Sequence, residues 1–136
     1  QISTLAQFSA VPIVSTQPEL SPLRIDTVEN GELDQAIAMN LAVLAWSPLG
    51  GGRIGDPQNA REQNVAAALS AVATAHGVSR TAAAYSWIMA HPARPIPIVG
   101  SQNPARIAEA ADAFKIQWTR ADWYSVLVAA RGVPLP

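Results

Sequence analysis

Hydrophobic and polar residues follow two kinds of pattern along the chain. Three short apolar segments have the character of buried strands: Val11 to Gln17, Leu41 to Trp46 and Pro95 to Ser101. Between them, apolar residues recur every three or four positions, which is typical of amphipathic helices. Strands that alternate with helices predict an α/β protein with a parallel sheet and right-handed crossovers.

Capping and stop signals give the bounds of the predicted helices. Ser79, Asn103 and Thr119 are suitable N-caps, and Gly77 and Gly132 stand where a helix ends. The first predicted helices cover residues 1–10 and Glu32 to Met39, and a third runs through Val65, Leu69 and Val72. A fourth begins at Ser79 and is stopped by Pro92, and a fifth is opened by Asn103 and Pro104. The last begins at Thr119 and is expected to bury Trp123, Val126, Leu127 and Ala130. The predicted order is α-β-α-β-α-α-β-α-α, with a glycine-rich loop over Gly50 to Asn59.

Composition narrows the class of protein. The chain has 136 residues, of which 49% are hydrophobic and 14% charged, so one domain with a sizeable core is expected. The net charge is −1 and both signs are scattered, which argues against nucleic acid or an anionic membrane as a partner. No apolar run reaches the roughly 18 residues of a membrane span. Because cysteine is absent, disulfides and thiolate metal sites are excluded, and we expect a cytoplasmic protein.

Each predicted strand ends in polar or conformationally free residues. In parallel α/β folds, ligands bind at the carboxyl ends of the strands. The helix start at Asn103, with Arg106 in its first turn, favours a phosphate. Gly50 to Gly52 allow the backbone to approach an anion closely, and Trp46 offers a flat face to a planar ring. The Gln17 amide both donates and accepts hydrogen bonds, which suits a carboxamide.

The same residues also have ordinary structural interpretations. Trp46 is compatible with a core aromatic residue, the glycines with a flexible loop, Ser101 and Asn103 with helix caps, and Arg106 with a solvated helix face. No cluster of His, Asp and Glu has the spacing of a metal site, so we expect no metal.

Two motifs and the ending of the chain carry a family resemblance. The motifs WSPLGGGR and PIPIVGSQNPARIAEA and the ending WTRADWYSVLVAARGVPLP resemble the C-terminal half of the NADP-dependent aldo-keto reductases, in their bacterial oxidoreductase branch. The resemblance implies that residues 1–136 are the C-terminal portion of a (β/α)8 TIM barrel, with its sixth, seventh and eighth parallel strands. It also implies NADP(H) as cofactor and hydride transfer between the nicotinamide and an aldehyde or ketone, the small-molecule carbonyl substrate of the complete enzyme.

The resemblance implies cofactor-binding roles for particular residues. Gln17 is expected to hold the nicotinamide carboxamide, and Trp46 to stack on the nicotinamide ring. The expected contacts of the pyrophosphate are Ser47, Leu49, Gly51 and Arg53. The expected contacts of the adenosine 2′-phosphate are Gly100, Ser101, Gln102 and Arg106, with Glu109 near the adenine.

Two positions depart from the family pattern. Gly100 stands where many members carry lysine, and Ala110 where many carry asparagine. Arg106 is retained, and its planar guanidinium suits a phosphate, so NADP is favoured over NAD.

The family's catalytic Asp, Tyr, Lys and His belong to earlier strands, in an N-terminal part that is absent from this chain. Tyr85, Tyr124, His76 and His91 lie in or beside predicted helices, so no catalytic residue is assigned. The chain begins at Gln1 without methionine, which indicates a processed chain, a truncated chain or a piece of a longer protein.

An alternative is a non-catalytic fragment or a stand-alone nucleotide-binding module. Three strands taken from a barrel have two open edges, which favours pairing with the missing N-terminal half or with a second copy. An unrelated doubly wound nucleotide-binding fold ranks last, because no G-x-G-x-x-G fingerprint follows a first strand.

Overall fold

A three-stranded parallel sheet runs through the computed structural model, which describes residues 1–134. The strands are β1 (Ser15–Thr16), β2 (Ala42–Ala45) and β3 (Ile96–Pro97), in the order β1-β2-β3. Ser15 lies opposite Ala42, and Leu44 lies opposite Ile96. The parallel α/β arrangement predicted from the sequence is therefore confirmed. Leu135 and Pro136, the last two residues of the ending motif, lie outside the described residues.

The strands are shorter than predicted because β1 and β3 each pair on one side only within residues 1–134. Hydrogen bonds of the sheet continue beyond the assigned strands, from Ala42 N to Val14 O (2.9 Å) and from Ile98 N to Ala45 O (2.9 Å). The ladder also extends to a parallel bridge between Glu19 and Trp46. The apolar segments found in the sequence thus correspond to the paired region, although the regular strand is only its centre.

Seven α-helices accompany the sheet in the described part of the chain. They are α1 (Ile2–Phe8), α2 (Asp26–Glu29), α3 (Glu32–Ala38), α4 (Ala60–His76), α5 (Arg80–Met89), α6 (Pro104–Ala110) and α7 (Arg120–Arg131), and a 3-10 turn covers Ala111–Lys115. The one-turn helix α2 and the 3-10 turn were not predicted. Ile25 caps α2 without a side-chain hydrogen bond, and the 3-10 turn continues directly from α6, so neither has a local start signal.

The predicted caps have the expected geometry. The side chains of Ser79, Asn103 and Thr119 each accept a hydrogen bond from a backbone N–H in the first turn of the helix that follows. Gly77 (φ 64°) and Gly132 (φ 73°) end their helices in the left-handed conformation. These bounds follow from local chemistry, and they were predictable for that reason.

The helices bury one face of the sheet. On β2, the side chains of Val43 and Ala45 are buried in a core that also contains Leu69 and Trp87. Side chains alternate between the two faces of a strand, so Ala42, Leu44 and Trp46 belong to the other face. Trp46 is 43% exposed there, and the neighbouring Ile96 and Ile98 are exposed as well.

Two tryptophans join α5 to α7. The rings of Trp87 and Trp123 stack with centroids 4.9 Å apart and an interplanar angle of 9°. Each indole N–H donates to the backbone carbonyl of the other residue, both at 3.0 Å. Trp87 is fully buried, whereas Trp123, which the sequence predicted to be buried, is only half-buried. The Trp123 ring packs at the edge of the core, where the rings of Tyr124 (centroids 5.4 Å apart) and His91 (6.1 Å) are also near it.

Replacing Trp123 with phenylalanine should lower the free energy of unfolding by about 1–2 kcal/mol, because the Trp87 carbonyl loses its indole donor while most of the stacking area remains. Chemical denaturation followed by circular dichroism measures this change. Phe114→Leu, at a side chain that is 78% exposed, is the matched control and should change stability by less than about 0.5 kcal/mol. Equal stabilities of Trp123→Phe and the parent chain would contradict the role given to the reciprocal bonds.

Candidate functional site

A tight series of turns follows β2. Gly50 N donates to Ser47 O (2.9 Å), Gly52 N to Leu49 O (3.1 Å) and Gly55 N to Gly52 O (2.9 Å). The chain thus folds back on itself immediately after Trp46. We call residues 50–58 the glycine loop.

Four residues of these turns have a positive φ: Ser47 (51°), Gly50 (59°), Gly51 (66°) and Gly52 (91°). This left-handed region is favourable for glycine and unfavourable for residues with a Cβ atom. A Cβ atom on Gly50 would lie 2.9 Å from Leu23 Cδ1, whereas one on Gly51 would meet nothing within 4 Å. At position 50, both the close packing and the φ angle require glycine. At position 51, only the φ angle requires it.

A cavity of about 550 Å³ lies between these turns, the end of β3 and the start of α6. Most of the predicted cofactor-binding residues line it, namely Ser47, Leu49, Gly51, Gly100, Ser101, Arg106 and Glu109. Thr81 and Tyr85 line it too, and sequence reasoning missed both. Their spacing of four residues places them on one face of α5, which is the only signal that the sequence offered.

Four predicted residues do not line this cavity: Gln17, Trp46, Arg53 and Gln102. The bridge between Glu19 and Trp46 continues the register of β1 and β2, so Gln17 lies opposite Leu44. Gln17 and Trp46 therefore share the sheet face that the helices leave open. Gln102 is exposed beside Ser101. The Arg53 guanidinium donates to Gly50 O (2.9 Å) and to Glu62 Oε1 (3.0 Å).

Glu62 is a buried acid that sequence reasoning missed. Its side chain is 3% exposed and accepts hydrogen bonds from Gln58 N (2.7 Å) and from Arg53 Nη1 (3.0 Å). The Gln58 amide is the main cause that lowers the pKa of Glu62; burial acts in the opposite direction, and Asn59 and Arg53 lower the pKa further. The carboxylate is therefore ionised at neutral pH. The sequence signal for Glu62 was its position in the first turn of the predicted helix, where an acidic side chain is favourable.

Tyr85 separates the cavity from a second one. Its side chain is 5% exposed, and burial, followed by the charge of Glu109, raises the pKa of its phenol. The second cavity, about 500 Å³, is lined mainly by apolar residues such as Met89, Pro95 and Phe114. Arg94 and Tyr85 are the polar side chains of this lining, so it is more apolar than the lining of the first cavity.

The donors of the first cavity suit phosphate groups. Arg106 supplies an exposed guanidinium, Ser47 and Ser101 supply hydroxyls, and the turns at Gly51 bring backbone amides near the surface. Among residues 1–134, no three His, Asp or Glu side chains come together in a way that could hold a metal ion. The described helices are also too short or too polar for any of them to cross a membrane. The fold and the site thus define a parallel α/β protein with a cavity at the carboxyl ends of β2 and β3, and the lining of this cavity has donors suited to an anion.

The comparisons with known proteins agree with this class. Residues 1–127 match the model of the Aldo/keto reductase family. A 6-dehydroglucose reductase of Novosphingobium aromaticivorans is 63% identical over 136 residues, which are 100% of this chain and 45% of that protein. A 6-dehydroglucose reductase of Agrobacterium fabrum is 36% identical over 120 residues, 88% of this chain and 39% of that protein. A crystal structure of a thermostable aldo-keto reductase with the inhibitor epalrestat matches with a TM-score of 0.80 and 18% identity, over 93% of this chain and 43% of that one.

The chain belongs to the Aldo/keto reductase family, as its motifs predicted. The structural likeness shows the fold: the three strands and their helices form part of a (β/α)8 barrel, which confirms the predicted fold class. The chain spans about half the length of the curated relatives that it matches.

Alanine substitutions at Gly50 and Gly51 should lower the free energy of unfolding by different amounts. Gly51→Ala should lower the free energy of unfolding by about 1 kcal/mol, because its φ is unfavourable for alanine. Gly50→Ala should cost about 1 kcal/mol more, because Leu23 is buried and has little room to move away from the new methyl group. Urea unfolding of both variants tests the order, and a larger loss for Gly51→Ala would contradict the packing described for Gly50.

Proposed function

We propose that this chain is the cofactor-binding portion of an NADP(H)-dependent aldo-keto reductase. The observation that carries the proposal is the cavity in which Ser47, Gly51, Ser101 and Arg106 converge at the carboxyl ends of two parallel strands. Membership of the family supports a nicotinamide cofactor. The nicotinamide, when bound, supplies the hydride for reduction of an aldehyde or ketone, or accepts one from an alcohol.

The two halves of the cavity suit the two phosphate groups of NADP(H). Gly100, Ser101 and Arg106 would hold the adenosine 2′-phosphate, with Glu109 near the adenine. Gln102, which is exposed beside Ser101 and outside the lining, would reach the phosphate from the rim. Ser47, Leu49 and Gly51 would hold the pyrophosphate, since the left-handed turns leave this backbone uncovered. Arg53 acts on the same loop through its contacts with Gly50 and Glu62.

The nicotinamide end lies on the open face of the sheet. Trp46 precedes Ser47 directly and is 43% exposed, so its indole is available for stacking. Gln17 is exposed on the same face and would bind the carboxamide. These two side chains would orient the ring toward the carbonyl substrate.

The relatives provide a candidate substrate. Two of them are named 6-dehydroglucose reductases, one at 63% identity and one at 36%. We propose 6-dehydroglucose as the first carbonyl compound to test in the complete enzyme.

The edges of the sheet indicate what completes the protein. Large apolar side chains are exposed on the β1 side (Leu5, Phe8, Val11 and Val14) and on the β3 side (Ile96, Ile98 and Phe114). We propose that the remaining strands of the barrel, which would also carry the catalytic residues, cover both edges. A non-catalytic module that covers them with a second copy is the alternative, and sedimentation equilibrium distinguishes a stable dimer from a monomer.

Isothermal titration of the folded chain with NADPH, with NADH as comparison, tests the cofactor assignment. We expect saturable binding that is tighter for NADPH, because Arg106 has a 2′-phosphate to contact only in that ligand. A folded chain that binds neither nucleotide would contradict the proposal.

Arg106→Ala should remove most of the preference for NADPH. A charge-assisted contact of this kind is worth about 1.5–3 kcal/mol, so the NADPH affinity should fall at least tenfold while the NADH affinity changes little. Arg120→Ala is the matched control, since Arg120 lies outside the cavity and its guanidinium is over the Tyr124 ring. An unchanged ratio of the two affinities in Arg106→Ala would rule out the proposed position of the 2′-phosphate.

Trp46→Ala should weaken NADPH binding about three- to tenfold, and Trp46→Phe should restore most of it, because stacking of this kind is worth about 0.5–1.5 kcal/mol. Adenosine 2′-monophosphate, which has no nicotinamide, should bind both variants equally. If its affinity falls in parallel with that of NADPH, Trp46 does not contact the nicotinamide ring.

A further inference from the structure

Glu62 connects the start of α4 to two separate points of the glycine loop. Oε2 accepts from the backbone N–H of Gln58, at the end of the loop, at 2.7 Å. Oε1 accepts from Arg53 Nη1 at 3.0 Å, and Arg53 Nε in turn donates to Gly50 O at 2.9 Å. One carboxylate, only 3% exposed, thus holds the end of the loop directly and its beginning through Arg53.

These contacts go beyond ordinary helix capping. In a capping box, the third residue of the helix accepts from the backbone N–H of the N-cap residue. Asn59 is the N-cap of α4, and its side chain accepts from Glu62 N at 3.0 Å. The Glu62 side chain, however, is bonded to Gln58 and to Arg53, nine residues upstream. Its two oxygens therefore accept from residues of the loop and not from the backbone N–H of the N-cap residue.

The remainder of the loop is attached to other parts of the protein. Arg80 Nη1 donates to Ile54 O at 3.0 Å, and the Ile54 side chain is 1% exposed. Gly50 packs on Leu23. Glu62 thus supplies the anchors at Arg53 and Gln58, on either side of Ile54. The anchored segment includes Gly51 and Gly52, which line the cavity.

We propose that Glu62 is a positioning residue for cofactor binding, which holds the glycine loop in the shape that receives the pyrophosphate. In this arrangement, Arg53 acts through its pair with Glu62 and its bond to Gly50, and it is not a direct phosphate ligand. The proposal rests on the proposed function, because it assumes that the pyrophosphate lies against the loop.

Two ligands separate this role from a general loss of stability. We expect Glu62→Ala to weaken NADPH binding at least tenfold and the binding of adenosine 2′-monophosphate less than twofold. Adenosine 2′-monophosphate should occupy only the end of the cavity at Ser101 and Arg106, which the glycine loop does not form. Asp112→Ala, which breaks the exposed pair with Lys115, is the control and should leave both affinities unchanged.

A double-mutant cycle tests the part given to Arg53. Arg53→Ala should weaken NADPH binding no more than Glu62→Ala does, because the bond from Gln58 N to Glu62 remains, and the double variant should be no weaker than Glu62→Ala. Additive losses would show that Arg53 binds the phosphate directly, and they would overturn the proposal. Equal losses for NADPH and adenosine 2′-monophosphate in Glu62→Ala would also overturn it, since a destabilised chain would lose both ligands alike.

Hydrogen exchange gives a readout without any ligand. Amide exchange in residues 50–58 should be at least tenfold faster in Glu62→Ala than in the parent chain, with little change in α7. Unchanged exchange in the loop would overturn the positioning role alone. Failure of the parent chain to bind either nucleotide would overturn the proposed function itself, so the two failures are distinguishable.

Discussion

Burial of one face of β2 beneath the helices is the constraint on which the rest of the structure depends. Val43 and Ala45 are buried in the core, so the strand cannot shift by one residue without exposing them. The same alternation fixes Trp46 on the opposite face, directly before the turn at Ser47. The core therefore determines both the direction of the indole and the place where the glycine loop begins. Packing of apolar side chains thus positions a polar site that lies outside the core.

The glycine loop and the start of α6 contribute to the site in different ways. The loop offers backbone, and its shape depends on positive φ angles and on anchors such as Glu62 and Arg80. The segment at Gly100 and Ser101 offers side chains, above all the guanidinium of Arg106. In the proposed complex with NADP(H), the affinity contributed by the loop would therefore depend on preorganisation, whereas that contributed by Arg106 would depend on charge. Salt should screen the second contribution more than the first.

Local chemistry explains which parts of the fold and of the site were predictable. Caps such as Ser79 and Thr119 act within one turn of helix, so their sequence context was sufficient. The motifs at residues 46–53 and 95–110 identified most of the cavity lining through their resemblance to a known family. The contacts of Glu62 and the position of Tyr85 depend on how distant segments fold together. The positive φ of Ser47 was missed because glycine, not serine, is the usual signal for it.

The reciprocal bonds between Trp87 and Trp123 make these two positions interdependent. Each indole supplies a donor for the other residue's carbonyl, so a change at one position removes a hydrogen bond from the other. In addition, the stack needs a flat ring at each position. If evolution replaces the two residues one at a time, the protein with a single replacement is therefore less stable than either end state. Related chains should either retain both tryptophans or have replaced both together.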